Sequence, residues 1–370
     1  MRYIGNKTRL LPFIRETIAR LKIPVGTAHD AFAGTAAVGR ELKSAGWRVI
    51  SSDLMTYSYV FQRAYVVASR APGFTRLVAS EPSLRRGLAA RGGGSAVRTR
   101  LAAIGEYLAS GITPERGFIT ENFSESGGRM YFTDANAMRI DAARHRIERW
   151  RQDGLVGDTG YYLLLAALLE GADRVANTAG VYAAYIKKWQ PNALRPLAIE
   201  PAAPVAGASG SLAHRSDAVV VARRARGVDL LYLDPPYNAR QYAGYYHVPE
   251  IIARGWFGDA PVLRGRTGLL GDRALQSDWC AQGRVNAALS DLLAATGARH
   301  VLVSYNSEGL LPSAELRGAL KAASSDGKVR MFTERYKRYR ADRDRPGRRY
   351  TGDWVEERLY YAKLPGREGE

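Results

Sequence analysis

The tetrapeptide Asp234-Pro235-Pro236-Tyr237 follows directly on the apolar run Leu230 to Leu233. The run is a short buried strand by pattern, and the two prolines, which have no N–H to donate, cannot continue a sheet ladder. They stiffen a turn beyond the strand's carboxyl end, where α/β folds place their ligands. A carboxylate and a backbone carbonyl side by side are two acceptors. Such a pair suits a poor nitrogen nucleophile, such as the exocyclic amine of adenine, whose lone pair is delocalised into the ring. Holding both N–H groups aims the lone pair at an electrophile, so that catalysis is largely orientation. Asp234 and the Pro235 carbonyl have the types for this, and Tyr237 offers a flat face to a base taken out of its stack. Asp-Pro-Pro-Tyr is also compatible with a plain turn, so its neighbours in the sequence matter.

Two other groups of residues could hold a ligand. Asp30-Ala31-Phe32-Ala33-Gly34-Thr35 reads as a strand end entering a tight turn, with a helix over Ala36 to Ser44. Glycine there lets the backbone approach a ligand at a helix N-terminus. Asp53 lies 19 residues past Gly34, at the end of a second strand from Trp47, where a carboxylate can accept from ribose hydroxyls. A solvated strand end is the alternative for Asp53. His247, Glu250 and Glu308 read as structural.

These residues require a strand–turn–helix–strand unit, the opening of a doubly wound α/β sheet. A helix over residues 9 to 21 precedes it. Strands over Asp229 to Leu233, His300 to Ser304 and Trp354 to Leu364 continue the pattern. Between them, residues 57–196 show no strand-rich pattern. Helices are expected from Asp134 to Trp150 and from Gly160 to Ala176, with an exposed loop over Arg85 to Arg100. The Gly/Ala/Ser/Pro run from Pro201 to Ser211 is a junction. The expected division is a core of 1–56 and 197–364, a helical insert of 57–196 and a tail of 365–370.

The 370 residues carry 54 Lys/Arg against 36 Asp/Glu, a net charge of +18, which favours a polyanionic partner. An arginine-rich composition without functional meaning is the alternative. Cys280 is the single cysteine, so no intramolecular disulfide can form, and no Cys/His cluster has zinc spacing. The longest apolar stretch, Tyr161 to Leu169, is too short for a bilayer. A cytoplasmic protein without metal or membrane partner is expected. From Arg335 to Arg349, eight Lys/Arg stand against two Asp, with Tyr336, Tyr339 and Tyr350 interleaved or adjacent. Lys337, Arg338, Arg340 and Arg343 could meet phosphates there, or form a solvated hairpin. Lys187 and Lys188 have the same two readings.

Together these segments resemble the D12-class, Dam-like DNA adenine methyltransferases, and the matches run through most of the chain. Tyr3-Ile4-Gly5-Asn6-Lys7 resembles the family's N-terminal cofactor motif, Asp30 to Thr35 its glycine motif, and Asp234 to Tyr237 its catalytic motif. Asn122-Phe123-Ser124, Tyr131 to Asp141, Asn238 to Tyr242, Ser304 to Gly309 and Tyr336 to Tyr339 are similar to further blocks. Ala36 departs from the pattern, since many relatives have a second glycine there. The resemblance implies a Rossmann-like S-adenosylmethionine-dependent methyltransferase sheet interrupted by a mainly helical, target-recognising insert. It implies cofactor contacts from Tyr3, Ile4, Gly5, Asn6, Lys7, Asp30, Phe32, Gly34, Thr35, Asp53, Asp217 and Ala218, with Asp217 accepting from the adenine amine of the cofactor. Asp234, Pro235, Pro236 and Tyr237 would be catalytic. The substrate implied is adenine N6 in double-stranded DNA, without a covalent enzyme intermediate, and a cognate restriction endonuclease is the implied partner. Other readings are cytosine N4, an RNA base or a protein amide as acceptor, or a non-catalytic DNA-binding subunit that retains the fold.

Overall fold

The computed structural model describes residues 1–3, 5–90, 96–307, 309–337 and 354–366. Its contacts divide into two compact units. One comprises Gly5–Gln62, Gly207–Tyr242 and Asp272–Glu370, and the other Met1–Ile4, Arg63–Ala206 and Ala243–Gly271.

The first unit is built on a seven-stranded sheet. Its strands are β1 (Thr27–Asp30), β2 (Arg48–Asp53), β3 (Leu212–Arg215), β4 (Leu230–Leu233), β7 (His300–Asn306), β8 (Val329–Lys337) and β9 (Trp354–Lys363). Their order is β3-β2-β1-β4-β7-β9-β8. The five from β3 to β7 run parallel, while β9 is antiparallel to both β7 and β8. A parallel sheet is covered on both faces, and Leu230 to Leu233 are accordingly all buried. The α/β order expected from the sequence is observed. The short β3 and the edge strand β8 carry no strong alternation and were not expected.

Period-two geometry lines up the chemistry. Asp30 pairs with Ser51 on one side and with Tyr232 on the other. Tyr232 pairs with Leu302, and Glu357 with Asn306. Counting by twos puts Asp53, Asp30, Tyr232, Ser304 and Glu357 on one face, and Asp234 continues the Tyr232 alternation. The carboxylates therefore gather at one end of the sheet, by register rather than by sequence proximity.

Between β1 and the helix α1 (Ala37–Ser44), the chain turns through Gly34 (φ +51°) and Ala36 (φ +59°). Ala36 sits fully buried in the left-handed region, where a Cβ carries a penalty of about 1–2 kcal/mol. The departure from glycine noted above therefore falls on a residue that does take the glycine conformation. Asp30 accepts from the backbone N–H of Gly39, in the first turn of α1.

In the second unit, the helices Asp134–Gln152 and Asp158–Arg174 pack together around Ile140, Ile147, Trp150 and Leu163 to Leu169. Thr133 caps the first by accepting from the Asn136 N–H. The loop expected over residues 85–100 is instead helical at both ends, over Pro82–Ala90 and Val97–Glu106, and residues 91–95 lie outside the description. Leu84 and Leu88, then Leu101 and Ile104, are buried at helical spacing, and this outweighs the Gly/Arg/Ser composition.

The observed units depart from the expected boundaries at Met1–Ile4, which goes with the helices, and at three further segments. Residues 57–62 go with the sheet, whereas 197–206 and 243–271 go with the helices. Close approach explains the second: a Cβ on Gly105 would stand 2.2 Å from the Ile199 carbonyl oxygen, and one on Gly171 2.4 Å from that of Ala198. The third packs through buried Arg144, whose Nε donates to the Ile252 carbonyl at 2.8 Å. It ends in a two-stranded hairpin, β5 (Leu263–Arg264) and β6 (Leu269–Leu270).

Candidate active site

Asp234 stands just beyond β4, with a side chain that is 15% exposed. Its Oδ1 takes the Lys7 ammonium at 3.1 Å and accepts the Tyr237 hydroxyl. Lys7 comes from a short 3-10 helix, Lys7–Arg9, that Asn6 caps by accepting from the Thr8 N–H at 2.9 Å. Gly5, at φ +75°, passes the Tyr237 ring so closely that a Cβ would lie 3.3 Å from Cε2. The N-terminal motif thus delivers an ammonium to the turn Asp234–Tyr237.

An ammonium has three N–H groups, and all three of Lys7 have acceptors: Asp234, the Tyr237 oxygen and Glu357 Oε1 at 2.9 Å. Burial alone would lower the Lys7 pKa, but the carboxylates of Asp234 and Glu357 outweigh it, so Lys7 is held above its ordinary value and stays charged. Burial raises Asp234 to about 6, with Glu357 pushing the same way and Lys7 opposing. Burial also holds the Tyr237 phenol well above its usual range, with the two carboxylates reinforcing the shift, so it acts as a neutral donor.

The cofactor candidates from Gly5 onward occupy the same sheet unit. Asp53 Oδ2 accepts from the Gly34 N–H at 2.9 Å and Oδ1 from the Met55 N–H at 2.9 Å, which latches the glycine turn to the end of β2. Asp30 is buried, with Oδ2 lacking a hydrogen-bond partner, and burial beside Asp234 raises it to about 7. Asp217 precedes the helix α2 (Ala218–Arg224) and caps it through the Val219 N–H at 2.8 Å. Ala218 is buried beneath it, and Thr35 is half-buried in the glycine turn. Phe32 meets buried Trp279 edge-to-face, 4.8 Å between centroids. Gln241 holds Ser277, two residues before Trp279, by bonds of 2.8 and 3.0 Å to its backbone.

Other predicted residues lie elsewhere. Tyr3 belongs to the helical unit, where it stacks on Tyr246 at 4.6 Å. Ile4, Glu308, Arg338, Arg340 and Arg343 lie outside the described residues, and Lys337 is the last residue of β8, paired with Trp354. Lys187 and Lys188 are exposed on an irregular segment of the helical unit. That segment is pinned by buried Asn177, whose amide nitrogen donates to the Ile186 carbonyl at 2.7 Å and whose oxygen accepts from the Gln190 N–H at 3.1 Å. His247 is structural: it is buried, pushed down to about 4 by burial, and flanked by the Gly244 and Thr267 carbonyls. Cys280 is buried, and burial pushes its thiol up to about 11, which keeps it an inert thiol.

Sequence reasoning missed Glu357, Ser304 as its partner, and Trp279. Ser304 lies in a block that was singled out, but no local motif surrounds Glu357 or Trp279. Among the described residues, no group of three or more His, Cys, Asp or Glu could hold a metal ion.

A mainly parallel sheet with carboxylates at the ends of β1, β2 and β4, and a Gly turn between β1 and its helix, is the frame of a Rossmann-like methyltransferase. The model of the D12 class N6 adenine-specific DNA methyltransferases matches residues 3–273. The Type II methyltransferase M.NlaIII of Neisseria lactamica is 33% identical over 350 residues, covering 93% of each chain. The Type II methyltransferase M.CviAII of Paramecium bursaria Chlorella virus 1 is 32% identical over 367 residues, 98% of each. Modification methylase LlaI of Lactococcus lactis subsp. lactis is 35% identical over 342 residues, 92% of this chain but 51% of its own length. The chain belongs to the D12 class of N6 adenine-specific DNA methyltransferases.

Proposed function

We propose that the chain moves the methyl group of S-adenosylmethionine to N6 of an adenine turned out of double-stranded DNA, at a target read by the helical unit. The observation that carries the reading is Asp234, fixed through one oxygen by Lys7 and Tyr237 at the open end of the sheet. With Oδ1 engaged, Oδ2 and the Pro235 carbonyl are the acceptors for the two amine hydrogens. The Tyr237 ring is the flat surface beside them.

The residues present fit the cofactor. Its ammonium calls for an unsatisfied carboxylate, and Asp30 has a buried oxygen without a partner. Its ribose hydroxyls call for an acceptor at the end of β2, where Asp53 stands. Its adenine amine calls for one before α2, where Asp217 stands. When bound, S-adenosylmethionine supplies a methyl group on a positively charged sulfur. Asp234 would then hold the amine in line and accept the proton that the nitrogen loses as it gains the methyl group, which leaves nitrogen and sulfur both neutral.

Asp53→Ala is expected to weaken S-adenosylmethionine binding by roughly 1.5–3 kcal/mol, the range for hydrogen bonds to a charged group. Asp53→Asn, which keeps one acceptor for the Gly34 N–H, should lose less. Calorimetry on the free protein measures both, and equal affinity in Asp53→Ala and wild type would remove Asp53 from the cofactor site.

For the target, side chains must reach base edges. Within residues 57–196, Arg129 and Arg139 donate to backbone carbonyls of the helical unit, those of Asn122, Arg266 and Ala109. Exposed Lys187 and Lys188 on the pinned segment, Gln190 beside them, and exposed Arg266 on the hairpin turn support the reading better. That turn is itself held, because His247 and Tyr131 reach the Thr267 carbonyl at 2.9 and 3.2 Å. Alanine at a base-reading position should relax the target by about 1–3 kcal/mol at one base pair, while loss of a phosphate contact weakens all sites alike. Single-molecule sequencing of genomes expressing each variant reads base and context together. An unchanged motif in every active variant of the helical unit would place recognition elsewhere.

The proposal includes double-stranded DNA as substrate, a cytoplasmic location and a cognate restriction endonuclease. The relatives' names, type II methyltransferase and modification methylase, support the last. Among the described residues, no helix is long and apolar enough to cross a membrane.

A further inference from the structure

Glu357, on β9, is 1% exposed, and one of its oxygens carries nearly all of its bonding. Oε1 accepts from Lys7 at 2.9 Å and from Ser304 Oγ at 2.6 Å, and the Tyr237 hydroxyl lies 3.2 Å away. Oε2 is buried without a hydrogen-bond partner. A buried carboxylate with one oxygen left bare is unfavourable for folding alone, since unmade bonds of buried polar groups carry a penalty. Its position has a geometric consequence. Tyr237 has a single hydroxyl hydrogen and two carboxylates within reach, and Lys7 stands between the same two carboxylates. Without Glu357, one Lys7 N–H loses its acceptor and the ammonium is free to turn wholly onto Asp234.

We propose that Glu357 is a positioning residue for methyl transfer: its Oε1, itself fixed by Ser304, aims the Lys7 ammonium and the Tyr237 hydroxyl at one oxygen of Asp234, so that the other faces the substrate amine. This rests on the function proposed above. Glu357 touches no reacting atom and acts through Lys7 and Tyr237. The groups facing Asp234 are Lys7, Tyr237, Tyr232 and Asp30 besides Glu357, and the first two are the ones Glu357 contacts.

Glu357→Gln keeps the shape and an acceptor oxygen but removes the charge. The expected result is a kcat lowered by about ten- to a hundred-fold, the scale of a small misplacement at a reacting centre. KM for DNA and cofactor affinity should change by less than about twofold. The acid limb of kcat should move to lower pH, because a negative charge beside Asp234 is gone. A second readout needs neither substrate nor activity. Carbon-13 NMR of the Asp234 carboxyl in the free protein should show its titration midpoint falling in Glu357→Gln. An unchanged kcat in the folded variant would overturn the proposal. So would a loss of kcat that accompanies a lower Tm, with neither the acid limb nor the Asp234 midpoint displaced, since that is what a merely structural residue would give. Product analysis of the wild type separates the two layers: absence of N6-methyladenine removes the functional reading, while the NMR arm still decides whether Glu357 governs Asp234.

Discussion

Asp234→Ala is expected to reduce methyl transfer by about 100- to 1,000-fold or more, the scale on which removal of one pre-aimed polar group acts, while S-adenosylmethionine affinity stays within about twofold. The variant should fold, because Lys7 keeps Glu357 and the Tyr237 oxygen as partners. No buried cation is left alone, which is the usual reason that such a deletion destabilises strongly. Asp234→Asn is the informative companion. It preserves an acceptor oxygen but not the charge that Lys7 is placed against, so it should fall between alanine and wild type. Tritiated methyl incorporation and calorimetry on the same preparations separate the two effects. Alanine activity near wild type would remove Asp234 from the amine.

Lys7→Met should have the next largest effect, and it should depend on pH. In the wild type, the acceptor role requires an ionised Asp234, so turnover should rise with pH through about 6. Lys7 opposes the upward push of burial and of Glu357. Removing it leaves two carboxylates facing each other without a counter-charge, and Asp234 must move up further. The acid limb should therefore shift upward, with a deficit of about ten- to a hundred-fold at neutral pH that narrows as the pH is raised. If Lys7 serves only to line the cofactor pocket, the variant will show weaker S-adenosylmethionine binding and an acid limb where the wild type has it. Comparing pH–rate profiles at saturating cofactor distinguishes the two.

The difference between what the sequence disclosed and what it did not follows chain distance. The segments His29 to Thr35, Trp47 to Asp53 and Leu230 to Tyr237 each carry a strand or its end together with the candidate residue within a few positions, so pattern and propensity suffice to read them. The long helix from Asp134 was legible for the same reason. Lys7 and Glu357 are 350 positions apart and meet only because β9 is antiparallel to β7 in one particular register. No local pattern encodes that register. Lys7 itself was singled out, but for the cofactor; its reach to Asp234 depends on how the Lys7–Arg9 turn meets the end of β4. The membership of residues 243–271 in the helical unit was equally hidden, because it depends on Arg144 reaching the Ile252 carbonyl rather than on composition. The basic cluster beyond Lys337 was assigned from charge alone, and Arg338, Arg340 and Arg343 lie outside the described residues.

The central claim is that Asp234 and Pro235 present an adenine amine to the methyl group of S-adenosylmethionine. Its most direct test is nucleoside mass spectrometry of duplex DNA incubated with the purified protein and S-adenosylmethionine carrying a deuterated methyl group. The account predicts deuterated N6-methyldeoxyadenosine as the modified nucleoside, formed by the wild type and lost in Asp234→Ala. Label on N4 of cytosine, or label on adenine undiminished in Asp234→Ala, would contradict it.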